Sequence, residues 1–107
     1  MVDVPETFDI DTSVRDDVGT IRVAGDLDVV SAPRLIRVIR DLVRAMVRRI
    51  DIDCRRVDFV DSAGIRALIV GRNEARGMGA EMRLISASAS MQRVLDITGL
   101  TPVLAFY

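Results

Sequence analysis

Apolar and polar residues change period several times along the 107-residue chain, and each change marks an element. "FDIDTSVRDD" and "VGTIRVAGDLD" alternate apolar with polar positions, the pattern of strands with one buried face. Between them Asp16, Asp17 and Gly19 favour a turn, so an antiparallel hairpin is predicted. From Ser31 the apolar residues Leu35, Val38, Ile39, Leu42, Val43 and Met46 recur at three- and four-residue steps, which puts them on one helical face. Ser31 is the candidate N-cap, and Pro33 suits the first turn. Residues 49–60, "RIDIDCRRVDFV", return to a strand pattern, with a bend or turn expected near Arg55 and Arg56. A second helix is predicted from about Ser62 to Arg76, with Ile65, Leu68 and Ile69 pointing inward and "GMG" at 77–79 as its stop. "EMRLIS" reads as the next strand. "SASMQRVLDITGL" reads as a short third helix with a serine N-cap, Met91, Val94, Leu95 and Ile97 as apolar positions, and Gly99 as C-cap. Beyond Pro102, "VLAFY" is expected to close the chain as a strand.

The order β-β-α-β-α-β-α-β implies an α/β fold: one domain with a mostly parallel sheet, an N-terminal antiparallel hairpin, and helices packed on it. No repeat, linker or low-complexity segment interrupts the pattern, so residues 1–7 are expected to be a tail and 8–107 the domain.

Composition narrows the chemistry. Half of the residues are apolar and 4% aromatic, which suits a core of Val, Ile, Leu and Ala rather than a disordered chain. The formal net charge of −1 leaves no global positive field to hold nucleic acid. All 15 basic residues are Arg, so neither a P-loop lysine nor Schiff-base chemistry is available. Histidine is absent and Cys54 is the only cysteine, which removes the usual zinc constellations, His-assisted nucleophiles and any intrachain disulfide. The start "MVDVPETFDI" has neither a basic nor an apolar leader region, and no apolar stretch reaches bilayer-spanning length. A cytoplasmic, reducing location is expected, with no membrane contact, no metal and no cofactor.

"VDFVDSAGIRALIV", residues 57–70, joins the strand pattern to the helix pattern through Asp61 and Ser62. In such folds the carboxyl ends of strands and the starts of the following helices form the functional edge. An Asp-Ser pair there can be ordinary helix capping. It can also present a hydroxyl for modification. Ser62 is no hydrolase nucleophile, because Asp61 stands where a small residue is needed and no histidine can take the proton. It can still receive a phosphoryl group from another enzyme, at a helix start where backbone N–H groups favour an anion. Gly64, costly inside a helix, hints at close approach of another backbone, against simple tolerance at a helix end. Asp26 and Asp28 in "GDLD" read either as a solvated turn or as part of the same edge. Arg34, Arg37, Arg40, Arg44 and Arg48 form a stripe opposite the apolar face of the first helix, either solvated or facing an acidic partner. Cys54 is expected in the core.

"DFVDSAGIRALIVGR" resembles the signature of STAS domains of the anti-sigma factor antagonist type, in which Asp-Ser-(Ser, Thr or Ala)-Gly-(Leu or Ile) opens the second helix. "VAGDLDVVSAPRL" resembles the family's strand-to-helix segment with paired acids, and "RVLDITGLTPVLAFY" its C-terminal "TGL" end, so the likeness spans nearly the whole chain. The resemblance implies a binding module without enzymatic activity. Its partner would be an anti-sigma factor with serine kinase activity, which phosphorylates the serine directly after the aspartate, here Ser62. It also implies a phosphoserine phosphatase that resets the switch, and a partner-facing edge comprising Asp26, Asp28, Ser31, Asp61, Ala63, Gly64 and Arg66. The alternative is a STAS scaffold or accessory subunit of a larger complex, stressosome-like or associated with lipid transport.

Overall fold

The computed structural model describes residues 8–107, so the expected tail at 1–7 lies outside the described residues. The hairpin forms as predicted from β1 (Phe8–Arg15) and β2 (Val18–Leu27), paired antiparallel without interruption. Asp16 and Asp17 both take positive φ, 51° and 66°. Two left-handed residues make the turn whose twist matches that of the strands, and aspartate tolerates this region better than most side chains. The chain continues through α1 (Ala32–Arg44), β3 (Arg49–Val60), α2 (Ser62–Gly77), β4 (Glu81–Ala87), α3 (Ala89–Thr98) and α4 (Thr101–Leu104). The strands lie in the order β1-β2-β3-β4, and the β2–β3 and β3–β4 pairs are parallel.

Side-chain alternation gives the sheet two different faces. Gly19, Ile50 and Met82 form one row across three strands, and Ile21, Ile52 and Leu84 the next, all buried. Helices α1 and α2 cover this side closely: a Cβ on Gly19 would stand 2.9 Å from Leu42 Cδ1. The α1–α2 pair is tied on its outer side by Arg40, whose guanidinium donates to both Glu74 carboxylate oxygens at 2.8 and 2.7 Å. One member of the arginine stripe therefore serves helix–helix packing. The opposite sheet face is held by charge. Arg22 pairs with Asp11 at 2.9 Å, and the buried Asp51 is bracketed by Arg83 at 2.7 Å and Arg49 at 3.1 Å. Burial alone would raise the Asp53 carboxyl, but hydrogen bonds from Ser86 and Arg55 outweigh it and hold the group below its ordinary value. Cys54 sits in the core, where burial pushes its thiol up to about 12.

The structure corrects the sequence reading at four places. Helix α1 stops at Arg44, and Met46, read as part of its apolar face, lies beyond it with φ 66° and 80% exposure. Ile97 is on α3 but is 78% exposed, while Met91 and Leu95 carry the burial. The bend expected near Arg55 and Arg56 is a bulge within one continuous strand: Arg22 pairs with Asp53 and Ala24 with Arg56, so β3 holds one extra residue there. "VLAFY" is not a strand. Pro102 suits the first turn of a helix, and it lies in the first turn of α4, which puts Leu104 into the core. Only Ala105 then bridges β4, opposite Leu84, with the Phe106 N–H donating to the Leu84 carbonyl at 2.9 Å.

Candidate functional site

The carboxyl ends of β2 and β3 run side by side, with Asp26 opposite Phe59 and Leu27 opposite Val60. The Asp61 N–H donates to the Leu27 carbonyl at 3.3 Å, so the two strand-to-helix junctions are locked together. At the first junction Asp28 Oδ1 accepts from the Val30 N–H at 3.0 Å and the Ser31 N–H at 3.1 Å, an aspartate turn. Ser31 is only 4% exposed. Its hydroxyl donates to the Asp26 carbonyl at 2.7 Å and accepts from the Asp28 N–H at 2.9 Å. Ser31 thus holds the N-cap position of α1 without capping the helix with its side chain, because its hydroxyl is already used by the turn behind it.

At the second junction the cap is Asp61. Its backbone is extended, and Oδ1 accepts from the Gly64 N–H at 3.0 Å, closing the first turn of α2. That leaves Ser62 as the first helical residue, exposed, with its capping duty taken by its neighbour. Gly64 answers the question its cost raised. A Cβ there would lie 2.4 Å from the Leu27 carbonyl oxygen, 2.8 Å from Leu27 Cγ and 2.9 Å from Val60 Cγ2. Close backbone approach, and not tolerance, accounts for the glycine.

The predicted residues therefore gather in one place with different roles. Ser31 and Gly64 are buried and shape the edge from inside. Asp28 and Asp61 spend carboxylate oxygens on backbone N–H groups. Asp26 and Ala63 are partly exposed, and Ser62 and Arg66 are exposed one helical turn apart. The strand and helix periods gave no weight to three apolar side chains on the same edge: Val29 and Val30, 70% and 82% exposed in the turn after Asp28, and the exposed Phe59 opposite Asp26. The signal was present as two valines inside a turn, where no core position calls for them.

A hydroxyl at the start of a helix, in a chain without histidine, has no imidazole to activate it as a nucleophile; it can accept a group brought by another enzyme. The chain belongs to the STAS domain family, whose model matches residues 9–107. Among its relatives, the anti-sigma-B factor antagonist of Staphylococcus aureus is 30% identical over 94 residues, covering 87% of this chain and 86% of that protein. The crystal structure of an anti-sigma factor antagonist from Mycobacterium paratuberculosis matches with a TM-score of 0.82 at 24% identity, over 99% of this chain and 90% of the other. The Bacillus cell fate determinant SpoIIAA in its phosphorylated form matches with a TM-score of 0.69 at 23% identity, over 91% and 87% of the two chains. Both structures share the fold. Among the described residues, no helix is long and apolar enough to cross a membrane.

Proposed function

We propose that this protein is an anti-sigma factor antagonist that acts by binding, not by catalysis, as one half of a phosphorylation-controlled partner switch in the bacterial cytoplasm. Unmodified, it occupies an anti-sigma factor with serine kinase activity and so releases a sigma factor. Phosphorylated on Ser62 by that partner, it lets go until a phosphoserine phosphatase restores it. The observation that carries the reading is the division of labour at the start of α2: Asp61 caps the helix, and Ser62 beside it stays exposed. The phosphorylated form of SpoIIAA, a protein of the same fold, supports it. Asp26, Asp28, Ala63 and Arg66 supply the polar rim of the interface, and Val29, Val30 and Phe59 its apolar centre.

The switch has a physical sign. A phosphoserine adds about −1.5 to −2 charges. The helix start returns only about 0.3–1 kcal/mol per exposed anion. Asp61 is the adjoining residue, and Asp26 and Asp28 close the neighbouring strand end, so the added charge enters an edge where three carboxylates stand against Arg66 one helical turn away. Burying that dianion against a partner then adds desolvation. Phosphorylation therefore weakens the complex and leaves the fold intact.

The test is a pull-down with the unmodified protein, followed by incubation of the recovered partner with labelled ATP and either the wild type or Ser62→Ala. Transfer of label to the wild type alone is expected. Label on Ser62→Ala would rule out Ser62 as the acceptor, and recovery only of a large stable assembly without kinase activity would favour a scaffold role instead.

A further inference from the structure

β1 is the outer strand of the sheet, and among the described residues nothing pairs with its free side. Its backbone phase follows from the two-residue turn: Arg15 and Val18 close the hairpin and bond to each other, as do Ser13, Asp11 and Asp9 with their partners on β2. The N–H and C=O groups of Ile10, Thr12 and Val14 therefore point outward, unpaired among the described residues. An exposed strand edge of this kind is a template for another strand.

We propose that this edge pairs with the same edge of a second copy of this chain, antiparallel about a two-fold axis at Thr12. The sequence of β1 is complementary to itself in that register. Ile10 lies opposite the partner's Val14, on the side of the sheet that carries the helices, and Val14 is one of the exposed large apolar residues. On the other side, Asp9 lies opposite the partner's Arg15. Each pair occurs twice by symmetry. Among the described residues the one ion pair of Arg15 is with Asp16, at 3.9 Å with both side chains above 90% exposed, so it is available. Moving the partner strand two residues in one direction sets Asp11 against its own copy, and in the other it breaks the Ile10–Val14 pair, setting Ile10 against Asp16 and Val14 against Thr12. Odd shifts place outward backbone groups against inward ones. The two-fold at Thr12 is the register that satisfies backbone, apolar pair and charge together.

The resulting eight-stranded sheet sends the two Ser62 edges to opposite ends, because β2 and its copy run in opposite directions. Pairing and partner binding are then compatible, and pairing does not depend on the phosphorylation state. Strand pairing of this length buries less than the roughly 1,600 Å² of a standard interface, so a concentration-dependent dimer is expected.

Sedimentation velocity on the full chain, from micromolar to millimolar protein, reads the equilibrium. A monomer–dimer equilibrium is expected in the wild type. Arg15→Asp sets like charges opposite each other twice and weakens it roughly tenfold. The double variant Asp9→Arg with Arg15→Asp restores it. Thr12→Pro removes an outward N–H and abolishes it, with circular dichroism reporting that the fold persists. A wild type that stays monomeric throughout, or a dimer that Arg15→Asp leaves unchanged, would overturn the proposal. Neither outcome bears on the Ser62 switch, which is read by phosphorylation.

Discussion

Replacing Gly64 with alanine adds one methyl group, and the sign of its effect separates two accounts of the site. In a helix that touches nothing, the change stabilises by about 0.5–1 kcal/mol, because glycine has more backbone freedom to lose. Here the new Cβ would meet the Leu27 carbonyl oxygen at 2.4 Å and Val60 Cγ2 at 2.9 Å. The oxygen cannot move aside, because it belongs to β2 and accepts from the Asp61 N–H. The start of α2 must withdraw by about 1 Å to reach ordinary contact distance. Overpacking of this kind costs about 1–3 kcal/mol, and the shift strains the Asp61 cap, worth about 1 kcal/mol more. After the helix gain is subtracted, Gly64→Ala should be less stable than wild type by about 1–4 kcal/mol. Gly77 is the control: its Cβ would meet nothing within 4 Å, so Gly77→Ala should be neutral or stabilising by up to about 1 kcal/mol. Urea unfolding followed by circular dichroism measures both as shifts in midpoint at constant slope. If Gly64→Ala proved as stable as wild type, the locked junction between the two strand ends would be wrong.

Two further predictions follow from the hydrogen bonds. Asp61→Ala removes the cap to the Gly64 N–H and should lower stability by about 0.5–2 kcal/mol in the same urea assay; an unchanged midpoint would mean that the carboxylate is not capping. Asp53 is held below its ordinary value in the folded protein. Its contribution to stability is therefore complete above the unfolded value of about 3.9 and is lost as pH falls through the folded one. Asp53→Asn should cost stability at pH 7 and shrink the stability difference between pH 7 and pH 3, whereas an identical difference in both proteins would contradict the Ser86 and Arg55 bonds.

Most of the fold was legible because it rests on periods of two and 3.6, which the chain keeps wherever one face is buried. The hairpin was readable down to its turn, since few sequences other than a polar pair such as Asp16-Asp17 tolerate two positive φ angles. The errors lie where tertiary contacts outweigh local pattern. Met46 fits the helical step but falls two residues beyond the end of α1, where the chain already turns toward β3. "VLAFY" has the composition of a strand, yet Pro102 and a vacant core position for Leu104 make it a helical turn. At the site, the gathering of Asp26, Asp28, Asp61 and Ser62 was readable from strand-end topology and family resemblance. The distribution of tasks was not. That Asp61 and not Ser62 caps α2, and that Ser31 bonds backwards, is set by hydrogen bonds at a junction built by two non-adjacent segments.

In the proposed switch, Ser62 reports a phosphoryl group to a binding edge. The most direct test is the affinity of the recovered anti-sigma factor for the protein carrying serine or phosphoserine at position 62, measured by calorimetry with the stability of each form checked alongside. Binding of the phosphorylated form is expected to be weaker by tenfold or more, at unchanged fold. Equal or tighter binding after phosphorylation would contradict it.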